Sequence, residues 1–516
     1  MQPALDKDFD VAALGRLKQA LTAAGYTRET VLATLHSDQH LLAQPGEVVV
    51  FERRVSGGRP ADTLIKYFLI GMTVAAKDLE EALPGFTLEE LLRLGMAEGV
   101  AGGGVRCPVR IVPHGDVLVA SDRGYYRDTP GHDSDVVTGV SNPAILLADL
   151  TVRKPAKRAL DLGTGGGIQA LLLANHCEHV VATDLNPRAL EFTRLNAALN
   201  GFRNIETRAG SWFEPVAGER FDIIAANPPY VISPETAFLY RDSGMPADSV
   251  SRELVRAMPE HLEEGGFGHI LISWGVAAGQ DPLEPPLRWV DGLPCDVWLL
   301  HYLTEDPLTQ AAKWNRTLAM DGPEKYAESI DRWLAYYREQ GIDQIAFGAV
   351  IMRRRSSAKT WVRADTLHSS RGSAAGLVSR VFDAEDYLQG ASPDALIDER
   401  FTLVPNHRLE QLLVVRDGEW HLQESTLTMT NALGFRGGLD VPTAHLLQHL
   451  DGEHTLREAI AQSCEELGLE GEDRRVLAEA AVTMARRLHQ LGFLVRGVPQ
   501  IPQRPLGDPG SDPSAF

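Results

Sequence analysis

Ala159-Leu-Asp-Leu-Gly-Thr-Gly-Gly-Gly-Ile168 ends a short apolar run and opens a helical pattern. Glycines at such a strand-to-helix turn let the backbone reverse sharply and approach a ligand closely. Dinucleotides use turns of this kind too, and two residues separate the readings. The dinucleotide pattern GxGxxG asks for Gly or Ala at position 168, where Ile168 stands. Asp161 precedes Gly163 by two positions, and a carboxylate there would repel a pyrophosphate. It suits the positively charged methionine end of S-adenosylmethionine, with Gly163, Thr164, Gly165 and Gly167 forming the turn. Asp184 follows Gly163 by 21 positions, at the end of the next apolar run, where an acid accepts hydrogen bonds from two ribose hydroxyls. Leu185 beside it suits the adenine face. The competing role for Asp184 is a helix N-cap before Asn186-Pro187.

A further strand pattern, 221–226, runs straight into Asn227-Pro-Pro-Tyr230. Two prolines fix their φ angles, remove two donors and restrict the residue before them. The result is a rigid turn that presents two acceptors, the Asn227 side-chain oxygen and the Pro228 carbonyl. A planar NH2 group has two hydrogens to offer such a pair, and Tyr230 would stack on the flat amide or base. An amide or exocyclic amine nitrogen is a poor nucleophile because its lone pair is delocalised. Acceptors on its hydrogens favour the electron density that must localise for attack on a sulfonium methyl, and a fixed pose removes the entropic part of the barrier. Asn227, Pro228 and Tyr230 are therefore the expected catalytic residues. Neither a metal nor a strong general base is obligatory for this step, and no metal site is expected. Seen in isolation, Asn-Pro-Pro-Tyr also describes an ordinary tight turn.

On these motifs the span 159–232 resembles the class I methyltransferases of the small-domain group, most closely the protein-(glutamine-N5) methyltransferases that modify release factors. Gly210-Ser-Trp-Phe-Glu-Pro215 and Phe221-Asp-Ile-Ile-Ala-Ala-Asn-Pro-Pro-Tyr-Val231 are similar to that family's Trp-Phe segment and catalytic motif. The resemblance implies that Trp212 borders the adenine and that Asn227 touches both cofactor and substrate. Many relatives carry an acid where Ser211 stands, so recognition of adenine at Ser211 would differ. The resemblance leaves the flanking regions unassigned.

The elements that must position these residues follow from periodicity. Short apolar runs at 158–161, 180–183, 221–226, 269–273, 297–300 and 347–352 alternate with helical patterns at 169–175, 189–199, 251–262 and 324–339. That alternation predicts an α/β fold, a doubly wound Rossmann-like methyltransferase sheet over 136–355. Residues 1–105 read as a mainly helical, winged-helix-like domain, with helices at 11–21, 63–72 and 88–94, the last capped by Thr87 and Glu90. A β-hairpin connector follows at 106–135. Polar residues 356–395 read as a linker, and 396–496 as an α+β winged-helix-like domain. In that domain strands surround Asp417-Gly418 and helices occupy 443–450, 456–466 and 474–491. The proline-rich tail 497–516 is expected to be disordered.

The chain carries a formal charge of −20 at 44% hydrophobic and 23% charged residues, which is ordinary globular composition without a broad basic footprint for nucleic acid or anionic membrane. Cys107, Cys177, Cys295 and Cys464 form no CxxC pair, so a reducing, cytoplasmic location is expected. Neither a signal peptide nor a membrane span is expected. His132, Asp133 and Asp135 read as a solvated turn, and Arg353-Arg-Arg355 as a solvent-facing strand end, with RNA contact the lesser reading. Tyr125-Tyr-Arg127 and Tyr240-Arg-Asp242 are candidates for a substrate mouth. The expected partner is a protein substrate modified at a glutamine amide. Adenine N6 or guanine N2 in RNA or DNA is the alternative, and a non-catalytic scaffold is the third.

Overall fold

Residues 9–37, 45–123, 134–236, 241–242, 244–320, 322–356, 359–367 and 372–497 are described in the computed structural model. The chain divides into two compact units, Met1–Leu367 and His368–Phe516.

In the first unit the apolar runs become strands of one eight-stranded sheet. In chain order these are β1 (Ala156–Leu162), β2 (Cys177–Asp184), β3 (Ile205–Ala209), β4 (Phe221–Ala226), β5 (Leu262–Val276), β6 (Cys295–Glu305), β7 (Gln344–Arg354) and β8 (Val362–Thr366). Across the sheet they lie in the order β8-β6-β7-β5-β4-β1-β2-β3. β7 runs antiparallel to β5 and β6, and the other neighbours are parallel. Ala159, Leu160, Val180, Val181, Ala182 and residues 223–226 are buried, as strands covered on both faces must be. The order reverses at β1, which pairs β2 on one side and β4 on the other. A crevice therefore opens beyond the carboxyl ends of these strands. The doubly wound α/β expectation is met. β3 escapes the sequence pattern because Ile-Glu-Thr-Arg-Ala is a half-exposed edge strand, stabilised by ion pairs of Arg208 with Glu206 and Glu219. β8 and the helix Ala375–Leu388 both fall in the stretch read as a linker, so 356–395 is more structured than its polar composition implies.

The amino-terminal helices do not form a core of their own. Leu14, Leu17, Leu21, Phe68 and Leu91 share one apolar cluster with Ile111, Val119, Leu171, Phe192, Leu195 and Leu199. The last four lie on two helices that cover the sheet, α1 (Ile168–Ala174) and α2 (Pro187–Asn200). The expected hairpin pairs Val109–His114 with Val117–Asp122. Its outer edge is held by α2. The Asn196 side chain accepts from Ala120 N at 2.7 Å and donates to Ala120 O at 2.8 Å, and Asn200 does the same to Leu118 at 3.0 and 2.7 Å. Four helical residues rise about 6 Å and two strand residues about 6.8 Å, so an i,i+4 pair of amides matches alternate strand residues. The helix expected at 88–94 forms as Leu88–Arg93 with its Thr87–Glu90 capping box. The helix expected at 63–72 is α-helical only to Leu64 and continues as a π-helix from Ile65 to Ile70.

In the second unit, strands Arg400–Leu403, Asp451–Thr455 and Leu494–Arg496 form a small antiparallel sheet. With it are packed α3 (Val441–Leu446), α4 (Leu456–Leu467) and the helix Gly471–Gln490. The hairpin His407–Arg416/Glu419–Met429 turns at Asp417-Gly418, as its sequence predicts, with both turn residues at positive φ. Among the described residues no helix is long and apolar enough to cross a membrane. His132, Asp133, Tyr125-Tyr-Arg127, Tyr240 and the tail from residue 498 lie outside the described residues.

Candidate active site

β1 delivers Asp161 to the crevice and the chain then turns through Gly163, Gly165 and Gly167, whose φ angles are +71°, +54° and +81°. Only glycine takes such angles freely, so the curvature of the loop is written in its composition. Gly163 N and Thr164 N both donate to Thr183 O at 2.9 Å, which fastens the loop to β2. From below, α2 braces it: Thr193 Oγ1 donates to Gly165 O at 3.1 Å and Asn196 Nδ2 to Gly166 O at 2.7 Å. Gly167 opens α1 and faces Thr193, where an added Cβ would lie 3.0 Å from its side chain.

A cavity of about 260 Å³ lies over this loop. Asp161, Gly163, Thr164, Gly165, Asp184, Leu185, Ser211, Trp212 and Asn227 all line it. Of the residues expected to bind a cofactor, Gly167 alone does not reach it and acts as the helix opener instead. Asp161 is buried, with Oδ2 accepting from Thr164 Oγ1 at 2.7 Å and Ala170 N at 2.9 Å. Burial pushes its carboxyl up to about 7 against these hydrogen bonds. Asp184 accepts from Gly165 N at 2.9 Å and Asn186 N at 2.8 Å, and burial raises its pKa as well. The N-cap of α2 is Asn186, whose side chain accepts from Arg188 N, so Asp184 is free of that duty. Leu185 lines the rim of the cavity at 61% exposure. Trp212 takes a left-handed φ of +47°, uncommon for a bulky residue, and lines the cavity after Gly210.

Asn227 enters the cavity from the end of β4, and Pro229 joins it. Among the described residues the Asn227 side chain has no hydrogen-bond partner. Pro228 and Tyr230 do not line the cavity. The Pro228 carbonyl accepts from Tyr230 N at 2.8 Å, which tightens the turn and leaves one lone pair. The Tyr230 carbonyl accepts from Ser273 Oγ, so β5 holds the far end of the turn. The Tyr230 ring packs edge-on to Phe347 at 6.4 Å in a second apolar cluster with Ile232, Trp333 and Tyr337. Its hydroxyl bonds Tyr302, and burial drives its pKa upward.

Sequence reasoning did not find the wall formed by Val136, Val137, Thr138, Gly139 and Ser141, nor Gln169 and Asn186. The wall 136–141 carries no motif, and its placement depends on the hairpin. Asp122, at its end, accepts from Val137 N at 2.9 Å and forms a buried ion pair with Arg188 of α2. Asn186 Nδ2 donates to Asp135 O at 2.7 Å, so Asp135 serves this wall. Gly139 passes so close to Ser121 that a Cβ would meet its Oγ at 2.5 Å. Asp242, proposed for a substrate mouth, does line the cavity, buried and paired with Arg241. Arg353 and Arg355 instead pair with the buried Asp296, and Arg354 donates to Pro259 O.

Residues 141–276 match the family model "Methyltransferase small domain", as the motifs imply. Residues 23–107 and 379–496 match two families each described as a domain of unknown function, DUF7059 and DUF7782. The chain is similar to the release factor glutamine methyltransferase of Xylella fastidiosa (strain Temecula1), 34% identical over 139 residues, covering 24% of this chain and 49% of the relative. The enzyme of the same name from Escherichia coli (strain K12) is 35% identical, covering 24% and 48%. The chain thus spans about half the length of these curated relatives. Among solved structures, an rRNA methylase from Streptococcus thermophilus is 17% identical with a TM-score of 0.24, covering 41% of this chain and 94% of that one. That likeness is too distant to add to the strand order itself.

Proposed function

We propose that the chain is an S-adenosylmethionine-dependent N-methyltransferase whose acceptor is a planar NH2 group, with the glutamine side-chain amide of a protein as the substrate. The observation that carries this reading is Asn227, an amide without a partner among the described residues. It projects from a braced Pro-Pro turn into a cavity whose other walls carry Asp161 and Asp184.

The residues present fit the cofactor. Asp161 is assigned to the cationic amino-acid end, which its place in the cavity lining and its buried carboxyl support. Asp184 accepts from the backbone N–H groups of Gly165, Asn186 and Leu185, and its carboxylate keeps acceptor capacity for a ribose hydroxyl. Leu185 and Trp212 offer apolar faces to a purine ring, and Ser211 offers a hydroxyl at its edge. When bound, S-adenosylmethionine supplies a methyl group on a sulfonium, an electrophile that needs no metal. The chain's own part is to hold the nucleophile. Asn227 Oδ1 accepts one of the amide hydrogens, favouring the nitrogen lone pair that attacks. The carbon–nitrogen bond would form as the methyl–sulfur bond breaks, with the electron pair staying on the departing neutral thioether, and the nitrogen's surplus proton would pass to water.

The similarity to release factor glutamine methyltransferases supports a protein amide over a nucleobase. So does the use of Arg353, Arg354 and Arg355 inside the fold, which removes that run as a basic surface for RNA. The test is transfer of labelled methyl from S-adenosylmethionine to a fractionated lysate, followed by separate protease and nuclease digestion. Label recovered as methylglutamine after proteolysis is the expected result. A labelled nucleoside would replace this reading with the nucleobase one, and absence of transfer with intact cofactor binding would leave only a scaffold.

A further inference from the structure

Away from the cavity, in the second unit, His445 and His449 are separated by four positions. α3 ends in a 3₁₀ turn, Leu447–His449, which keeps both imidazoles on one face. Glu466, on the last turn of α4, reaches the same point. Glu466 Oε2 lies 3.5 Å from His445 Nε2 and 3.3 Å from His449 Nε2, and the three atoms all fall within 4.8 Å of one another. Bond lengths of about 2.0–2.2 Å to zinc place the ligand atoms of a tetrahedral site about 3.3–3.6 Å apart, so two of the three edges already have that length.

The hydrogen bonds around the cluster orient its lone pairs inward. His445 Nδ1 lies 2.9 Å from the Oγ of fully buried Ser463, and donating there leaves Nε2 unprotonated. The Gln448 amide nitrogen lies 2.9 Å from His445 Nε2 and 3.3 Å from His449 Nε2, donating to both. Gln462 Nε2 donates to the other oxygen of Glu466 at 3.1 Å, which turns Oε2 towards the imidazoles. Three electron-rich atoms thus converge, with the exposed Gln448 side chain donating to both imidazoles. A cation relieves that convergence. Two imidazoles and one carboxylate suit a zinc-class ion and not calcium or magnesium, which take oxygen ligands.

We propose that His445, His449 and Glu466 bind one zinc-class divalent cation, which clasps α3 to α4 and leaves a fourth position for water or for Gln448 swung round to present its oxygen. The bound ion is structural to the second unit, and a hydrogen bond from its ligand to Ser463 fixes the ring that holds it.

The full chain, stripped with chelator, is dialysed against buffered Zn2+ and its metal content measured beside Glu466→Gln and His445→Gln. The wild type is expected to hold one more zinc per chain than either variant and to melt at a higher temperature with Zn2+ than with chelator. Ser463→Ala is expected to retain the stoichiometry but bind about ten- to a hundredfold more weakly. Circular dichroism of the metal-free variants separates a lost ligand from a lost fold, and the exposed Glu466 is the variant least apt to unfold. Equal zinc content in wild type and both folded variants overturns the proposal. So does a wild type that takes up Mg2+ or Ca2+ as readily as Zn2+, or none of them, the outcome for a plain histidine–glutamate ion pair.

Discussion

At Asp161 two effects oppose each other: burial disfavours the carboxylate, while a hydroxyl and an amide N–H stabilise it, and burial wins, pushing the carboxyl up to about 7. A cationic ligand end reverses the balance and favours the ionised form. The sign follows: because the pKa lies above the ordinary carboxylate value, raising pH from 6 to 8 ionises Asp161 and strengthens cofactor binding. The gain approaches tenfold per unit below the pKa and levels off above it. Calorimetry across that range checks it, and Asp161→Asn is expected to bind more weakly with a flat profile. Asn227 predicts a different pattern. Its amide is aimed at the group that reacts, so Asn227→Ala should lower kcat by about 10² to 10³, the usual loss for one preorganised polar contact to a transition state. Its cofactor dissociation constant should move less than tenfold. Single-turnover methyl transfer with saturating cofactor separates the two effects. These residues were readable in the sequence because each motif is contiguous: the loop and turn shapes follow from glycine and proline locally, whatever the rest of the fold does.

The element that couples site to scaffold is α2, and its role was not readable. Asn196 and Asn200 in a helical pattern look like a solvated face, yet Asn196 is fully buried and joins a hairpin edge to the glycine loop. Its partners are backbone groups distant in sequence, which carry no side-chain signature. The wall 134–141 was missed for the same reason. Asn196→Ala would leave Ala120 N–H, Ala120 C=O and Gly166 C=O without their partner. At about 1–3 kcal/mol for a buried polar group left unmade, a stability loss of about 3 kcal/mol is expected, read from the urea midpoint. Cofactor affinity should fall with it, since Gly166 belongs to the loop. Asn200→Ala, at a half-buried side chain bonded among the described residues to Leu118 and its own helix, should cost less and leave cofactor affinity unchanged.

One apolar cluster runs from Leu14 to Leu199, joining the amino-terminal helices to one face of the sheet, so these helices are not an appendage that the sheet can shed. A chain beginning at residue 134 would expose Leu171, Phe192, Leu195 and Leu199. It is expected to lack a cooperative melting transition in calorimetry, whereas the full chain shows one for this unit. Composition alone placed a domain boundary near residue 105, because a shared core shows in no local pattern, only in what the helices are packed against. The same dependence reaches the hairpin's outer strand, Val117–Asp122. An uncovered strand edge is a template on which another chain can add, the first step towards fibrils. Here every second residue of that edge is engaged: Leu118 by Asn200, Ala120 by Asn196 and Asp122 N by Val137 O at 3.0 Å. Two asparagines on a helix thus stand in for a neighbouring strand, and the edge that frames the site is closed to intermolecular growth.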